Sequence, residues 1–298
     1  MIDKDIENKL SSLIKFWAPR DARIREWMRL EALTDESEDD VLESALTNDP
    51  ATVVGLAVHL LSYYDPKHSV IIDANASDHL LKQAGKTERA LRGWWRDVDY
   101  QRFLGGLDSW TRELAWWETT TGWVVIKAAM ERGDDGTPTP VADILNPLNS
   151  YPEYGPDGLI AFANRYTTTL AYAARKAALY GNDIKVSESN ATAPVEMVDY
   201  YERDGKRCRT AIIMQGGGKK PVYIRSPIEY GGKIPVICTP VNGKPDRGAI
   251  AFRDEGWKQT IGQSILEKNR PIYQEYNRFM SLLAAVARDA AQPPWLVK

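Results

Sequence analysis

The 298-residue chain holds 43% hydrophobic and 27% charged residues, the balance of a folded protein long enough for two or more structural units. No apolar run reaches the ~18 residues of a membrane helix, and acidic residues precede any apolar stretch at the N-terminus, so we predict neither a membrane span nor a secretory signal and expect the protein to stay in the cytoplasm. The net charge of −3 divides unevenly, because residues 1–202 carry 21 basic and 33 acidic side chains, whereas residues 203–298 carry 17 basic and 8 acidic ones.

The first part of the chain is predicted to be helical. Residues 20–33 place apolar side chains at helical spacing, and the acidic run at 35–40 should form an exposed loop. Asn48 supplies a capping residue, and Pro50 fits the first turn of the apolar helix that follows. The apolar density of that helix predicts burial, so His59 is expected to be a core histidine.

Helix then gives way to strand. Residues 87–119 are rich in helix formers and spaced aromatics, and residues 121–130 have the character of a strand. The Gly-, Pro- and Asp-rich run at 132–140 predicts a loop that returns to a second strand at 141–152. Residues 1–160 therefore form one predicted unit of mixed α and β structure.

A compact helix and a β-rich segment are predicted next. Residues from Tyr166 to Tyr180 include small side chains at helical spacing, and Gly181 provides a stop. From 193 to 245, short β-rich runs are divided by Asp-Gly, Gly-Gly-Gly, Gly-Gly and Asn-Gly turns. Basic side chains in or beside these turns are typical of phosphate contacts without base reading, with solvated turn residues as the alternative. These candidates are Lys219, Lys220, Arg225, Lys233, Lys244 and Arg247.

The last segment predicts a long helix. Apolar residues recur at steps of 3, 4 or 7, which favours one helix from Asp254 to Ala291, about 57 Å long. Pro271 should kink this helix, although two helices joined at Asn269 and Arg270 are an alternative. The stripe consists of Trp257, Ile261, Ile265, Ile272, Tyr276, Phe279, Leu283, Val286 and Ala290.

No constellation for catalysis or metal binding is apparent. The run QGGGKK at 215–220 lacks the spacing of a phosphate-binding loop. Asp199, Glu202 and Asp204 could form a carboxylate or metal cluster, but no second ligand motif accompanies them. We predict that the chain is not an enzyme and has no catalytic residue, metal or cofactor, with an unrecognised hydrolase as one alternative.

The two cysteines are expected to be reduced thiols. Cys208 and Cys238 lie 30 residues apart, with no CxxC pair and no histidine cluster near them. Six of the ten tryptophans fall between residues 94 and 123, where they are more typical of a core or a subunit contact than of a ligand cage.

Four segments in order carry a resemblance to a known family: NDPATVVGLAVHLLS at 48–62, LDSWTRELAWWETTTGWVVIKAAM at 107–130, ILNPLNSYPEYGPDGLIAFANRYTTT at 144–169, and the stretch from GGKIPVICTPVNGKP to QPPWLV at 231–297. The chain resembles the N-terminal part of tailed-bacteriophage portal proteins. In that family, a lysine or isoleucine followed by Pro-Val leads through a Gly-rich turn into a long helix that ends in prolines.

The resemblance implies an α+β portal-protein fold. Residues 1–165 would be the mixed α/β wing, 166–182 the first stem helix, 194–248 the basic β-rich clip and 254–291 the second stem helix. Residues 292–298 would begin the C-terminal wing and crown, so the chain is expected to be truncated.

The implied function is structural. A ring, usually of twelve subunits, would sit at one capsid vertex of the virion after assembly in the host cytoplasm, enclose double-stranded DNA and dock the terminase motor, tail adaptor and major capsid proteins. The basic clip residues would lie together at one axial end, and the stem residues from Trp257 to Leu283 would contact neighbouring subunits. The alternative is an intracellular nucleic-acid-binding or scaffold adaptor that forms no ring.

Overall fold

The protein combines helices and antiparallel sheets. A computed structural model describes residues 4–33, 47–63, 69–71, 73, 77–132, 138–155, 157–216, 219–245 and 260–291. It is 51% helical and 29% strand, so the predicted α+β class is confirmed. The chain forms two compact units, the first from Met1–Arg23 and Val124–Thr239, the second from Ile24–Trp123 and Pro240–Lys298. We call them the sheet unit and the helical unit.

The first helix is longer than predicted. Helix α1 runs over Lys4–Glu31, and its buried residues recur at steps of three and four, as in Leu10, Leu13 and Trp17. The predicted helix at 20–33 is thus confirmed as its C-terminal part. The acidic run at 35–40 lies outside the described residues.

Helix α2 forms where its start signals predict, but only one face is buried. It spans Asp49–Ser62 with Pro50 in the first turn. Pro50, Val54 and Val58 are its buried residues, whereas His59 is exposed and lies edge-on to Tyr63. The predictions of a buried helix and of a core histidine were therefore wrong, because apolar density does not decide which faces find a partner.

Helices α3 (Asp78–Leu104) and α4 (Trp110–Thr121) follow, and Ser109 caps α4 because its hydroxyl accepts a hydrogen bond from the Arg112 amide. Gly122 ends α4 with φ of 66°. A Cβ there would collide with the backbone of Gln263, so glycine is required both by conformation and by space. Val54, Val58, Ala115, Leu266 and Tyr273 form a core cluster within the helical unit.

A three-stranded antiparallel arrangement contains the predicted hairpin. Strands β1 (Trp123–Arg132) and β2 (Pro138–Ile144) pair antiparallel, with Ile126 opposite Ile144, which confirms the predicted strand at 121–130 and the return of the chain after it. The second predicted strand, 141–152, was too long, because β2 ends at Ile144 and a 3-10 turn at Pro147–Asn149 separates it from the next strand, which belongs to another sheet. Strand β8 (Val236–Pro240) lies on the other side of β1.

A five-stranded antiparallel sheet dominates the sheet unit. Its order is β3-β4-β5-β6-β7, each strand pairing with its neighbour in sequence. The strands are β3 (Ser150–Gly155), β4 (Gly158–Thr169), β5 (Pro194–Asp204), β6 (Arg207–Gly216) and β7 (Lys219–Gly231). The sheet joins residues that the sequence assigned to two segments, the wing and the clip. A further short pair is β9 (Lys244–Pro245) with β10 (Thr260–Ile261).

Helix α5 is shorter than the helix predicted from Tyr166 to Tyr180. Residues 166–169 are the end of β4, paired with β5, and α5 spans Leu170–Leu179. The β-branched run Thr167 to Thr169 suits a strand, and the Thr169 hydroxyl caps the helix by accepting from the Tyr172 amide at 3.3 Å. Ala173 and Ala177 pack α5 onto the sheet.

Both cysteines are free and buried, as expected. Cys208 lies in β6 and Cys238 in β8. Burial raises the pKa of the Cys208 thiol, and it raises the pKa of Cys238 to about 11. Both thiols are therefore protonated at neutral pH.

The predicted helix from Asp254 to Ala291 is not continuous. Helix α6 spans Arg270–Ala291, about 33 Å, and is preceded by a 3-10 turn at Glu267–Asn269 and by β10. Pro271 lies in the first turn, where its missing amide hydrogen costs nothing, so the predicted kink was wrong. The alternative of two helices joined at Asn269 and Arg270 was also wrong, because residues 260–266 before the 3-10 turn are a short strand followed by non-helical chain. Residues 254–259 are outside the described part of the chain.

Candidate assembly surface

Helix α6 is fixed to the helical unit at its first turn. Tyr273 enters the core cluster, and the Arg270 guanidinium meets the Glu26 carboxylate at 2.5 Å. The Trp27 indole donates to Glu267 at 2.6 Å, just before the helix begins. A buried aromatic and two charge-assisted bonds thus set the direction of α6 at its start.

The rest of α6 carries an exposed apolar stripe. Its five side chains are 45% to 65% exposed and recur at steps of 4, 3, 4 and 3. We call this set the α6 stripe: Ile272, Tyr276, Phe279, Leu283 and Val286. It is about 21 Å long, and its spacing is that of a helix–helix packing seam. Contiguous apolar side chains of this size left in water mark an interaction surface.

A second stripe lies on α2 and on Tyr63, the residue directly after it, and was missed from the sequence. Val53, Leu56, Leu60 and Tyr63 are 42% to 66% exposed and recur at steps of 3, 4 and 3. We call this set the α2 stripe. The sequence held a signal for it, because α2 is apolar on more than one face, and a surface helix packs only one face against its own core. Because the whole helix was expected to be buried, its second apolar face was not recognised as exposed.

The predicted stem residues have three different outcomes. Four of them form most of the α6 stripe: Ile272, Tyr276, Phe279 and Leu283. Ile265 instead packs against the core cluster of the helical unit, and Ile261 lies in β10. Trp257 lies outside the described residues. The helical spacing therefore linked residues that the fold places in a strand, a core and a helix.

The predicted basic residues do not form one cluster. Lys219 begins β7 and pairs with Gly216 at the β6–β7 hairpin, whereas Lys233 follows Gly231, which ends β7. Twelve strand steps separate the two ends, roughly 40 Å. The expectation that the turns bearing Lys219 and Lys233 lie together is therefore corrected.

The other basic candidates are dispersed as well. The Arg225 side chain contacts residues of the sheet unit. Its guanidinium donates to the Thr210 hydroxyl at 2.6 Å and lies 5.2 Å from the centre of the Tyr180 ring. Lys220 is the second residue of β7 and Lys244 the first of β9. Arg247 lies outside the described residues.

The carboxylates considered for a metal or acid pair are separately engaged. Asp199 is buried and meets Lys127 at 3.7 Å, while Glu202 meets Lys9 at 3.3 Å. Asp204 is exposed at the end of β5. In the part of the chain that the structure describes, no group of three His, Cys, Asp or Glu residues is placed to hold a metal ion.

Asp199 belongs to a partly buried chain of polar contacts that the sequence did not reveal. The Tyr166 hydroxyl lies 3.4 Å from the Asp199 carboxylate, and the Lys176 ammonium donates to that hydroxyl at 3.2 Å. Lys127 completes the chain from β1 and is as buried as Asp199. A buried ion pair of this kind fixes which strands lie together, because neither charge can be left alone in the core.

Comparisons with known proteins give no family for the chain. No protein-family model matches it, and no curated protein matches it significantly. Among the described residues, every helix is too short or too polar to span a bilayer.

Proposed function

We propose that this chain is a structural subunit of a portal ring in a tailed bacteriophage. The observation that carries the proposal is the α6 stripe, since a long apolar helix face that the described residues of its own unit leave exposed requires a partner elsewhere. In a ring, each copy supplies the partner of its neighbour, and the same contact repeats by rotation until the ring closes.

The size of the stripe fits a contact that is weak alone and strong when repeated. Five half-exposed apolar side chains would contribute roughly 1–2.5 kcal/mol each on burial, about 5–12 kcal/mol for one stripe. Association costs about 4–15 kcal/mol in lost freedom of motion, a cost of the same size, so one such contact alone holds a pair of subunits poorly. A closed ring makes the contact at every subunit and loses two contacts to release one copy.

Within this proposal, the segments have the roles that the resemblance implies. Helix α5 corresponds to the first stem helix and α6 to the second, and the basic β-rich segment at 194–248 corresponds to the clip. The ring, usually of twelve subunits, would sit at one capsid vertex, enclose double-stranded DNA and bind the terminase motor, the tail adaptor and the major capsid protein. No cofactor is needed, because the subunit makes and breaks no covalent bond.

The hairpin that carries Lys219 and Lys220 is the part of the clip that we assign to DNA, motor or tail contacts. Both residues are at one end of the five-stranded sheet, and Lys233 is at the other. Replacing Lys219 and Lys220 by glutamate should impair packaging or tail attachment without preventing ring formation, whereas Lys233→Glu should have little effect. Wild-type packaging by the double variant in intact rings would contradict this assignment.

The decisive experiment is the mass of the assembled particle. We expect native mass spectrometry and negative-stain images of the purified chain, at the salt concentration of capsid assembly, to give closed rings of uniform size. A monomer or dimer at all concentrations would overturn the portal proposal. A monomer that binds double-stranded DNA with a steep salt dependence would instead support the nucleic-acid adaptor.

A further inference from the structure

We infer that neighbouring subunits join by packing the α6 stripe of one copy against the α2 stripe of the next. This inference rests on the proposed function and names the two faces that would meet. Both stripes belong to the helical unit, so every copy carries one of each. The occupant of the α6 stripe is therefore a second copy of this chain, contacted through a different surface.

The spacing of the two stripes is matched. Steps of three and four residues on both helices allow the side chains of one to enter the gaps of the other, with the helix axes near 20° apart. The α2 stripe extends about 15 Å from Val53 to Tyr63, and the α6 stripe extends about 21 Å. The shorter face is thus covered completely by the longer one.

The fold holds both stripes away from the core at fixed positions. Val54 and Val58 of α2 and Tyr273 of α6 enter the same core cluster. Each exposed stripe begins one residue before a buried one, at Val53 and Ile272, about 100° around the helix from the residue that is buried. The faces are therefore presented by helices whose other sides are already anchored.

Few charges would be buried by the contact. Between Pro50 and Tyr63 the chain has no Lys, Arg, Asp or Glu, so the α2 face can be covered without removing a charge from water. Depletion of charge at the centre is the usual composition of a protein interface. On α6, Glu275 and Arg278 have opposite charges and flank the stripe, so they add little net charge to the rim.

The area involved is close to that of a specific interface. Nine side chains, roughly half-exposed, would remove roughly 900 Å² from water at about 100 Å² each. Specific interfaces bury about 1,000 Å² or more in total, so this contact supplies most of what one junction needs. Each subunit makes the contact twice, once with each stripe.

The choice of partner face decides the type of assembly. Packing α6 against α6 would be an isologous contact, which ends at a dimer. Packing α6 against α2 is heterologous, so each new copy exposes a fresh face until rotation closes the ring. The α6–α2 pairing is therefore the one compatible with a ring.

A cross-linking experiment on the full chain tests the pairing. We would prepare Leu60→Cys, Phe279→Cys and the variant with both changes, and treat each with a bis-maleimide, whose reach does not require one register. Native Cys208 and Cys238 are buried. The double variant should give a covalent ladder up to the full ring, each single variant should remain monomeric on a denaturing gel, and a mixture of the single variants should stop at a dimer.

The matched control replaces Phe279→Cys by Gln274→Cys, an exposed position on the other side of α6. Paired with Leu60→Cys, it should give no ladder. Dimers from Phe279→Cys alone would overturn the inference in favour of an α6–α6 contact. Intact rings without a ladder would overturn the pairing and leave the portal proposal standing, whereas the absence of any oligomer would overturn both. A monomeric Phe279→Cys variant whose introduced thiol resists alkylation would show that the chain covers its own stripe, and would also overturn the inference.

Discussion

The two compact units differ in how completely they cover their apolar surface. Among the described residues, the sheet unit has seven large hydrophobic side chains that are exposed, and the helical unit has nineteen. In the sheet unit, the backbone groups of the strands pair with one another and helix α5 covers apolar side chains of the five-stranded sheet. The buried charges of Lys127 and Asp199 face each other. In the helical unit, the described residues leave one apolar face of α2 and one of α6 exposed. Under the portal proposal, these faces are where neighbouring subunits would meet, and the sheet unit has no comparable exposed stripe among its described residues.

The largest expected effect is the loss of oligomers when charges are placed on the α6 stripe but not when one is placed on the sheet unit. Phe279→Asp together with Leu283→Asp should abolish oligomers, because a carboxylate buried without a partner costs several kcal/mol at every junction. Ile228→Asp in the sheet unit is the matched control, since Ile228 is similarly exposed but lies in β7. Light scattering measures the mass of each variant. Loss of oligomers in the control, or rings in the α6 variant, would break the comparison.

The next effect tests how the sheet unit stabilises itself. Asp199→Asn should lower the free energy of unfolding by about 3 kcal/mol, because it removes the carboxylate of a buried ion pair and leaves the Lys127 ammonium in place. Lys127→Met with Asp199→Leu should be less harmful than the sum of the two single changes, because both members of the pair are then replaced by apolar groups. Urea denaturation gives the four free energies of a double-mutant cycle. Additive losses would show that the pair is not coupled.

Replacing one glycine in each unit by alanine compares the cost of a left-handed backbone conformation with the added cost of occupied space. Gly122→Ala should cost about 3 kcal/mol, from a left-handed backbone conformation and from the Gln263 backbone, which occupies the space of the new methyl group. Gly181→Ala should cost only about 1 kcal/mol, because its φ of 76° is also left-handed but the space around it is open. Thermal unfolding measures both. Equal losses would mean that backbone conformation alone sets the cost at Gly122.

The smallest effect is a dependence on alkaline pH in the sheet unit. Burial raises the pKa of Cys238 to about 11 from an ordinary value near 9, so the folded protein holds the thiol proton more tightly than the unfolded chain does. The free energy of unfolding keeps its full value below pH ~9 and falls by about 3 kcal/mol as the pH rises through ~11. Cys238→Ala should remove this part of the dependence of the free energy of unfolding on pH. The check is urea denaturation of both proteins from pH 8 to 11, and identical slopes would contradict it.

Local signals in the sequence located many of the elements. Pro50 marked the start of α2, although the Asn48 side chain makes no capping hydrogen bond there, and the Gly-, Pro- and Asp-rich run at 132–140 marked the return from β1 to β2. The Asp-Gly turn at 204–205 lies between β5 and β6 as predicted. These signals succeed because proline geometry and tight turns depend on neighbours in the chain.

The candidate surface was only half predictable. The periodicity of residues 272–286 identified the α6 stripe, but the same periodicity extended it wrongly to Ile261 and Ile265. Spacing alone does not distinguish a residue that fits a helix from one that is in a helix. The α2 stripe was hidden for a related reason, since exposure depends on which faces the rest of the unit covers.

By itself, the sequence determined the α+β class, the starts of α2 and β1, the free state of the thiols and the apolar face of α6, because each follows from composition or from residues close together in the chain. Tertiary structure decided that α6 begins at Arg270, that Lys219 and Lys233 are at opposite ends of β7, and that Lys127 meets Asp199. These outcomes depend on pairing between distant strands and on which surfaces find a partner, and the free energy of such contacts is not encoded in any one segment.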